Sequence, residues 1–177
     1  MQSKTKTKIN YIIVASLIAA LYAGLTYLSN AFGLAYGPIQ LRISEVLTIL
    51  PVFTPAAIPG LTVGCFIANI GSFNAADMIF GTVATLCAAL LTYLFKNIKL
   101  KDIPFLAFFP PVIVNALVIG LEIELFFLTP DVFSLWGFVI AGLEVGLGQL
   151  IVCYAFGIPF YIVCKKNRIF ERSFMIR

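Results

Sequence analysis

Histidine is absent from the 177 residues, which removes the commonest general base and the commonest metal ligand. Charge is scarce: Asp, Glu, Lys and Arg make up 11% of the chain, against about 25% in an ordinary soluble domain. The four cysteines, Cys65, Cys87, Cys153 and Cys164, stand far apart in apolar runs with no Cys-x-x-Cys spacing. They read as buried thiols behaving as small hydrophobes, and a zinc or redox site has no support. There is no Ser/His or Cys/His arrangement, no glycine-rich phosphate loop and no metal-ligand spacing. These absences argue against an enzyme and give no reason to expect a metal or cofactor.

What is present is apolar. The chain is 61% hydrophobic with a mean hydropathy of +1.03, which predicts an all-α integral membrane protein forming one domain over residues 1–177. Six membrane-spanning helices are expected, at about residues 9–28, 42–54, 56–70, 75–95, 104–128 and 133–163, since a crossing needs about 20 apolar residues. The first follows Lys4, Lys6 and Lys8 without a small-residue cleavage site, so it reads as a retained helix and not a signal peptide. Residues 29–41 read as a loop containing Gly33 and the Gly37-Pro38 turn. Pro51, Pro55 and Pro59 break the path after a short second helix. Pro110-Pro111 loosen the start of the fifth span. Thr129-Pro130-Asp131 reads as a turn with Asp131 as a cap. The last span is long enough to tilt, or to bend near Gly146, Gly148 or Pro159.

The basic residues give the orientation. Eleven of the twelve fall before the first span, between the fourth and fifth, or after the sixth. The positive-inside rule makes that side cytoplasmic and puts both termini there. The net charge of +4 is therefore a topology signal and not the mark of a nucleic-acid partner. The exception is Arg42, in the stretch Tyr-Gly-Pro-Ile-Gln-Leu-Arg-Ile-Ser-Glu (residues 36–45), a polar island among apolar runs. Of the acids, only Asp102 and Glu171 fall on the cytoplasmic side.

A charge near mid-bilayer costs about 2.5–3.5 kcal/mol on insertion scales, so such residues face a cavity or a partner. Here they converge on the outer half. Glu45 begins the second helix; Asn69 and Asn74 flank the next outer turn; Asp77 lies one turn into the fourth span. Asn115 and Glu122, seven apart, share a face of the fifth. Glu144 sits deep in the sixth with Gly137, Ala141 and Gly148 leaving room beside it. Together they predict a polar pocket opening outward, with Gln40 and Arg42 in a lid or rim and aromatic walls from Tyr36, Phe73, Phe126 and Trp136. The excess of acids suits a donor-rich or cationic ligand. Arg42 and Glu45, three apart, have a second reading as a mutually neutralising pair. Glu124 points elsewhere and belongs at the membrane surface. Gln149 shares a different face with Gly142 and Gly146 and reads as a contact between helices. Ala15, Ala19 and Ala23 recur at a spacing of four, beside Ala20 and Gly24. They suit close approach of another helix, either inside the bundle or on a second protein.

Two runs carry a resemblance. Residues 40–69, QLRISEVLTILPVFTPAAIPGLTVGCFIAN, closely resemble the QueT family, and residues 144–161, EVGLGQLIVCYAFGIPFY, are similar to it as well. The resemblance implies a six-helix substrate-binding S-component of an energy-coupling factor (ECF) transporter. Such a subunit sits in the cell membrane and takes up queuosine precursors, which are 7-deazaguanine bases. It implies as partners a scaffold transmembrane subunit and two ABC ATPases, with Ala15, Ala19 and Ala23 as the Ala-x-x-x-Ala surface that docks on the scaffold. A 7-deazaguanine has a ring N–H and an exocyclic amine that suit a carboxylate. Its carbonyl suits Arg42 or an amide, and a cationic aminomethyl group suits a second carboxylate. The alternatives are an S-component for another vitamin or purine-like base, and a stand-alone carrier coupled to an ion through Glu144 or Asp77.

Overall fold

The computed structural model describes residues 2–36, 40–128 and 132–167, without the side chains of residues 2–6. The Gly37-Pro38 turn, the Asp131 cap, and the basic tail with Arg168, Glu171, Arg172 and Arg177 lie outside the described residues, as do the side chains of Lys4 and Lys6. The described chain is helical and contains no strand. The elements are α1 (Gln2–Ala31), a 3₁₀ helix (Ile43–Val52), α2 (Ala57–Asn69), α3 (Ala75–Phe95), α4 (Phe109–Ile123), α5 (Leu135–Leu150) and α6 (Gly157–Lys166).

Four stretches are long and apolar enough to cross a membrane: 7–31, 75–95, 105–128 and 135–166. The first outruns the predicted span because α1 continues to Ala31. It ends in a paired turn in which the Leu34 N–H donates to Ser29 O (3.0 Å) and the Gly33 N–H to Asn30 O (2.8 Å). Gly33 takes the left-handed conformation this turn requires (φ 71°). The stretch 105–128 starts as a 3₁₀ turn (Phe105–Phe108) and passes into α4. Pro110 and Pro111 lie in the first turn of α4, where the missing N–H costs nothing, so they open the helix and do not break it. The last stretch joins α5 to α6 through a π-helical segment, Ile151–Phe156. Pro159 lies in the turn that follows, and the wider segment absorbs its missing N–H and its ring.

The second predicted helix is not an ordinary span. Ile43–Val52 is a ten-residue 3₁₀ helix with Pro51 inside it, about 20 Å long at 2.0 Å per residue. Ser44, Glu45, Leu47, Thr48, Ile49, Leu50 and Pro51 are all buried in it. It touches α1, α2, α3, α6 and the π-helical segment, and forms the axis around which the others pack.

Two pairs of helices approach backbone to backbone. On α2, a Cβ at Gly60 would lie 2.7 Å from Ala15 O, and one at Gly64 would lie 2.8 Å from Ala19 O. On α4, a Cβ at Gly120 would lie 2.7 Å from Gly142 Cα of α5. Small residues four apart on both partners allow this spacing, and van der Waals contact then holds the helices where lipid offers no hydrophobic drive. The α1–α2 seam engages the alanine stripe. Ala19 and Ala23 are buried and Ala15 is half-buried, so the stripe packs against α2, which is the first of its two readings. Ser16, Ala20 and Gly24 form an exposed small-residue stripe on α1, one position from the buried one.

The loop after α1, the α2–α3 turn, the end of α4 and the first turns of α5 meet at one end of the bundle. The other end carries the loop of Lys96, Lys99 and Lys101. There Lys165 Nζ and Tyr161 OH donate to Asp102 O (3.2 and 3.4 Å). Cys65, Cys153 and Cys164 are buried as expected, whereas Cys87 is exposed on α3.

Candidate functional site

At the end away from the lysine loop the helices diverge around a cavity of about 490 Å³. Tyr36 and Gln40 reach it from the loop after α1; Ser72, Asn74 and Asp77 from the α2–α3 turn; Ile123, Phe127 and Leu128 from the end of α4 and its π-helical turn; Ile140, Ala141 and Glu144 from α5. Five of the expected site residues therefore line one space: Tyr36, Gln40, Asn74, Asp77 and Glu144. Local structure fixes their positions. Asn74 caps α3, its Oδ1 accepting from the Ala76 N–H at 2.9 Å, and this sets Asp77 in the first turn. Tyr36 OH donates to Ala68 O (2.6 Å). Half-burial raises the Tyr36 phenol above its ordinary pKa, so it is neutral at physiological pH and remains a donor.

The other expected residues lie elsewhere. Trp136 is 77% exposed and Phe73 96%, so neither walls the cavity. Phe126 is exposed and packs its edge on Phe80 (5.7 Å). The aromatic side chain that does line the cavity beside Tyr36 is Phe127. Arg42, Glu45, Asn69, Asn115 and Glu122 are buried outside the cavity lining.

Residues 40–45 are consequently not an outer lid. They pass into the bundle, where Gly148 of α5 lets the Gln40 backbone in: a Cβ there would lie 2.5 Å from Gln40 O. Arg42 is 5% exposed. Its Nε–H donates to Ala35 O (2.8 Å), its Nη1 to Asn69 Oδ1 (3.2 Å), and its guanidinium lies 5.0 Å over the Tyr36 ring. Asn69 in turn donates from Nδ2 to Asp77 O (2.8 Å) and to Cys65 Sγ (3.4 Å). Its amide fits only because position 81 is glycine. Arg42 and Asn69 thus brace the two residues, Tyr36 and Asp77, that reach the cavity. Glu45 takes separate partners: its Oε1 accepts from Tyr22 OH, and Gln149 of α5 faces it.

Glu124 also departs from expectation. It is fully buried, and its Oε1 accepts from the Ser134 N–H (2.7 Å) ahead of α5. Ser134 itself caps α5 by accepting from the Gly137 N–H (3.2 Å). A carboxylate at a helix N-terminus is favoured by the helix dipole. A side chain at position 137 would run into it. Nothing in the sequence distinguishes Glu124 from Glu122 except helix phase, and the π-helical turn at Glu124–Leu128 shifts that phase.

Glu122 is 0% exposed, and neither carboxyl oxygen has a hydrogen-bond partner; Asn115, on the same face of α4, leaves Nδ2 without one. The carboxyl group of Glu122 faces that of Asp77. Among the described residues no group of three or more Cys, Asp or Glu side chains is set to hold a metal ion.

The site thus combines apolar walls with a few fixed polar groups, among them the carboxylates of Asp77 and Glu144. A sequence model of the QueT transporter family matches residues 12–166. The chain belongs to the QueT transporter family. It is 40% identical over 81 residues to the queuosine precursor transporter QueT of Lactococcus lactis subsp. cremoris (strain MG1363). That match covers 46% of this chain and spans about half, 48%, of the relative. No solved structure matches the chain. The first resembling run, residues 40–69, supplies the buried half of the loop, the central 3₁₀ helix and α2. The family match over residues 12–166 takes in every element that lines or braces the cavity.

Proposed function

We propose that this chain is the substrate-binding membrane subunit of an ECF-type importer and that it captures a queuosine precursor, a 7-deazaguanine base. The cavity carries this reading. Its volume of about 490 Å³ lies within the usual range for small-molecule sites, about 300–1,000 Å³. Its apolar walls suit a flat heterocycle. Asp77 and Glu144 can accept from the ring N–H and exocyclic amine, and the Gln40 and Asn74 amides can meet the carbonyl. Family membership and the name of the Lactococcus relative support the substrate class.

The cavity opens at the end away from the lysine loop. By the positive-inside rule that end is extracellular and both termini are cytoplasmic. The 3₁₀ helix and α2 complete six passes, the former shielded from lipid by its neighbours. Uphill transport needs energy, and in this reading a scaffold subunit and two ATPases supply it, as the family resemblance implies. Ser16, Ala20 and Gly24, with nothing within 4 Å of a Cβ at Gly24, form the face that would meet the scaffold.

Calorimetry on the purified chain, without ATP, tests the substrate claim. A 7-deazaguanine should bind and unrelated vitamins should not. Binding of none of the bases would overturn it, and a vitamin that binds instead would make this an S-component for that compound. Accumulation of substrate in liposomes holding this chain alone, driven by an ion gradient, would overturn the partner-driven mechanism.

A further inference from the structure

Glu122 is an acid that the bundle hides behind the cavity. It is fully buried, and no donor reaches either of its carboxyl oxygens. The register of two helices says what it faces. Thr92 Oγ1 of α3 donates to Ala107 O ahead of α4 (3.1 Å), and α3 packs along α4. Asp77 and Glu122 lie equally far from that contact, back along α3 and onward along α4, and their carboxyl groups meet. Asp77 lines the cavity and Glu122 does not. The Asp77 backbone is fixed from elsewhere, since its carbonyl accepts from Asn69 Nδ2 (2.8 Å). Its side chain has Glu122 against it. Two charged carboxylates in contact away from water repel, whereas a pair that holds one proton between its oxygens satisfies both. The other charged groups around the pair do not replace that proton. Arg42 gives hydrogen bonds to Ala35 O and Asn69 Oδ1 and lays its guanidinium on Tyr36. Glu144 of α5 lines the cavity and adds a like charge. Glu124, further along the same stretch as Glu122, accepts from the Ser134 N–H.

We infer that Glu122 is a positioning residue for ligand capture: it shares one proton with Asp77, and that link holds the Asp77 carboxylate toward the cavity as an acceptor for the donor edge of a base. While the proton is held, the pair carries one charge and keeps one geometry. When it leaves, the two carboxylates repel. Glu122 is enclosed on α4, so Asp77, the half-buried partner, is the one that turns away. Ligand capture is therefore lost on the alkaline side, although Glu122 never touches the ligand. An amide at position 122 would keep a donor on Asp77 that no rise in pH removes.

This inference rests on the reading of the cavity as a base-binding site, and the experiment separates the two. Infrared difference spectroscopy on the full chain without ligand, wild type minus Glu122→Gln, should show a protonated-carboxyl band at neutral pH. Absence of that band would overturn the inference, whatever the cavity binds. Calorimetry then follows a 7-deazaguanine bearing an uncharged substituent across the pH range. Wild-type affinity should fall as alkaline titration removes the band. Glu122→Gln should hold its affinity through the same range, and using one base for both chains cancels the base's own titration. Glu122→Leu, with no donor for Asp77, should bind about tenfold more weakly at neutral pH, the loss expected for a hydrogen bond to a charged group. A parallel alkaline loss in wild type and Glu122→Gln, or full affinity in a folded Glu122→Leu chain, would overturn the inference and leave the site reading standing. The band with no base bound at any pH would overturn the site reading and leave the shared proton standing.

Discussion

Gly60 of α2 lies so close to Ala15 of α1 that a Cβ built on it would stand 2.7 Å from the Ala15 carbonyl oxygen. The obstacle is backbone, which no rotamer change can move aside. Gly60→Ala should therefore push α1 and α2 apart and lower stability by about 1–3 kcal/mol, the usual cost of overpacking. Gly24→Ala on α1 is the control. Nothing lies within 4 Å of its Cβ, so it should leave stability unchanged or raise it by up to about 1 kcal/mol, the helix-propensity gain over glycine. Thermal unfolding of the two variants in detergent checks the pair. Equal Tm values would contradict the seam.

The same seam moves the expected partner surface by one residue. Ala19→Leu should destabilise the chain itself, because Gly64 stands against the Ala19 backbone. Ala20→Leu, on the exposed face, should leave Tm and ligand binding intact. If a scaffold subunit docks on α1, Ala20→Leu should instead abolish its co-purification from native membranes. Full recovery of the partner with this variant would place docking elsewhere.

This displacement shows where sequence reasoning reaches its limit in a membrane bundle. Which end of the bundle a residue occupies was legible: hydropathy and charge group Asn74, Asp77 and Glu144, and all three line the cavity. Rotation about each helix was not, because the lipid-facing and inward-facing surfaces are both apolar. Ala15/Ala19/Ala23 and Ser16/Ala20/Gly24 are two small-residue stripes one position apart, and spacing alone cannot say which is buried. The same ambiguity put Trp136 in the cavity wall, where it is exposed, and missed Ile140 and Phe127, which have no polar atom to mark them. Glu124 was misplaced because the π-helical turn changes the phase after Ile123. The buried course of residues 40–45 depends on Gly148, a contact more than 100 positions away in sequence, which no local pattern reveals.

Arg42 is the next position to test. Its guanidinium makes two hydrogen bonds in different directions and stacks on Tyr36, a geometry that a lysine ammonium cannot reproduce. Arg42→Lys should therefore weaken base binding nearly as much as Arg42→Ala, although Arg42 does not line the cavity. Both variants should also lose stability, by about 1–3 kcal/mol for each buried group left unpartnered, principally Asn69 Oδ1. Calorimetry with thermal unfolding on both variants decides this. Wild-type binding by Arg42→Lys would show that charge alone suffices.

Gly148 tests the loop from its other side. The Gln40 backbone rests on it, with a built Cβ only 2.5 Å from Gln40 O. Gln40 lines the cavity and Gly148 does not. Gly148→Ala adds one methyl group to a helix, where alanine is intrinsically favoured over glycine by about 1 kcal/mol. A gain in stability would therefore be expected if only helix propensity mattered. The structure sets the opposite effect against it. Either α5 moves outward or residues 40–42 shift, and both displace Gln40 and Arg42 together. Base binding should fall severalfold or more while the chain stays folded, because the methyl disturbs the loop and leaves the α1–α2 and α4–α5 seams in place. Gly146→Ala, whose Cβ would meet only Ala116 Cβ at 3.3 Å, is the matched comparison and should retain binding. Loss of binding in Gly148→Ala with retention in Gly146→Ala, both measured by calorimetry, would show that this loop is held for ligand capture by a single missing side chain. Equal binding by the two would mean that the loop yields without affecting the cavity.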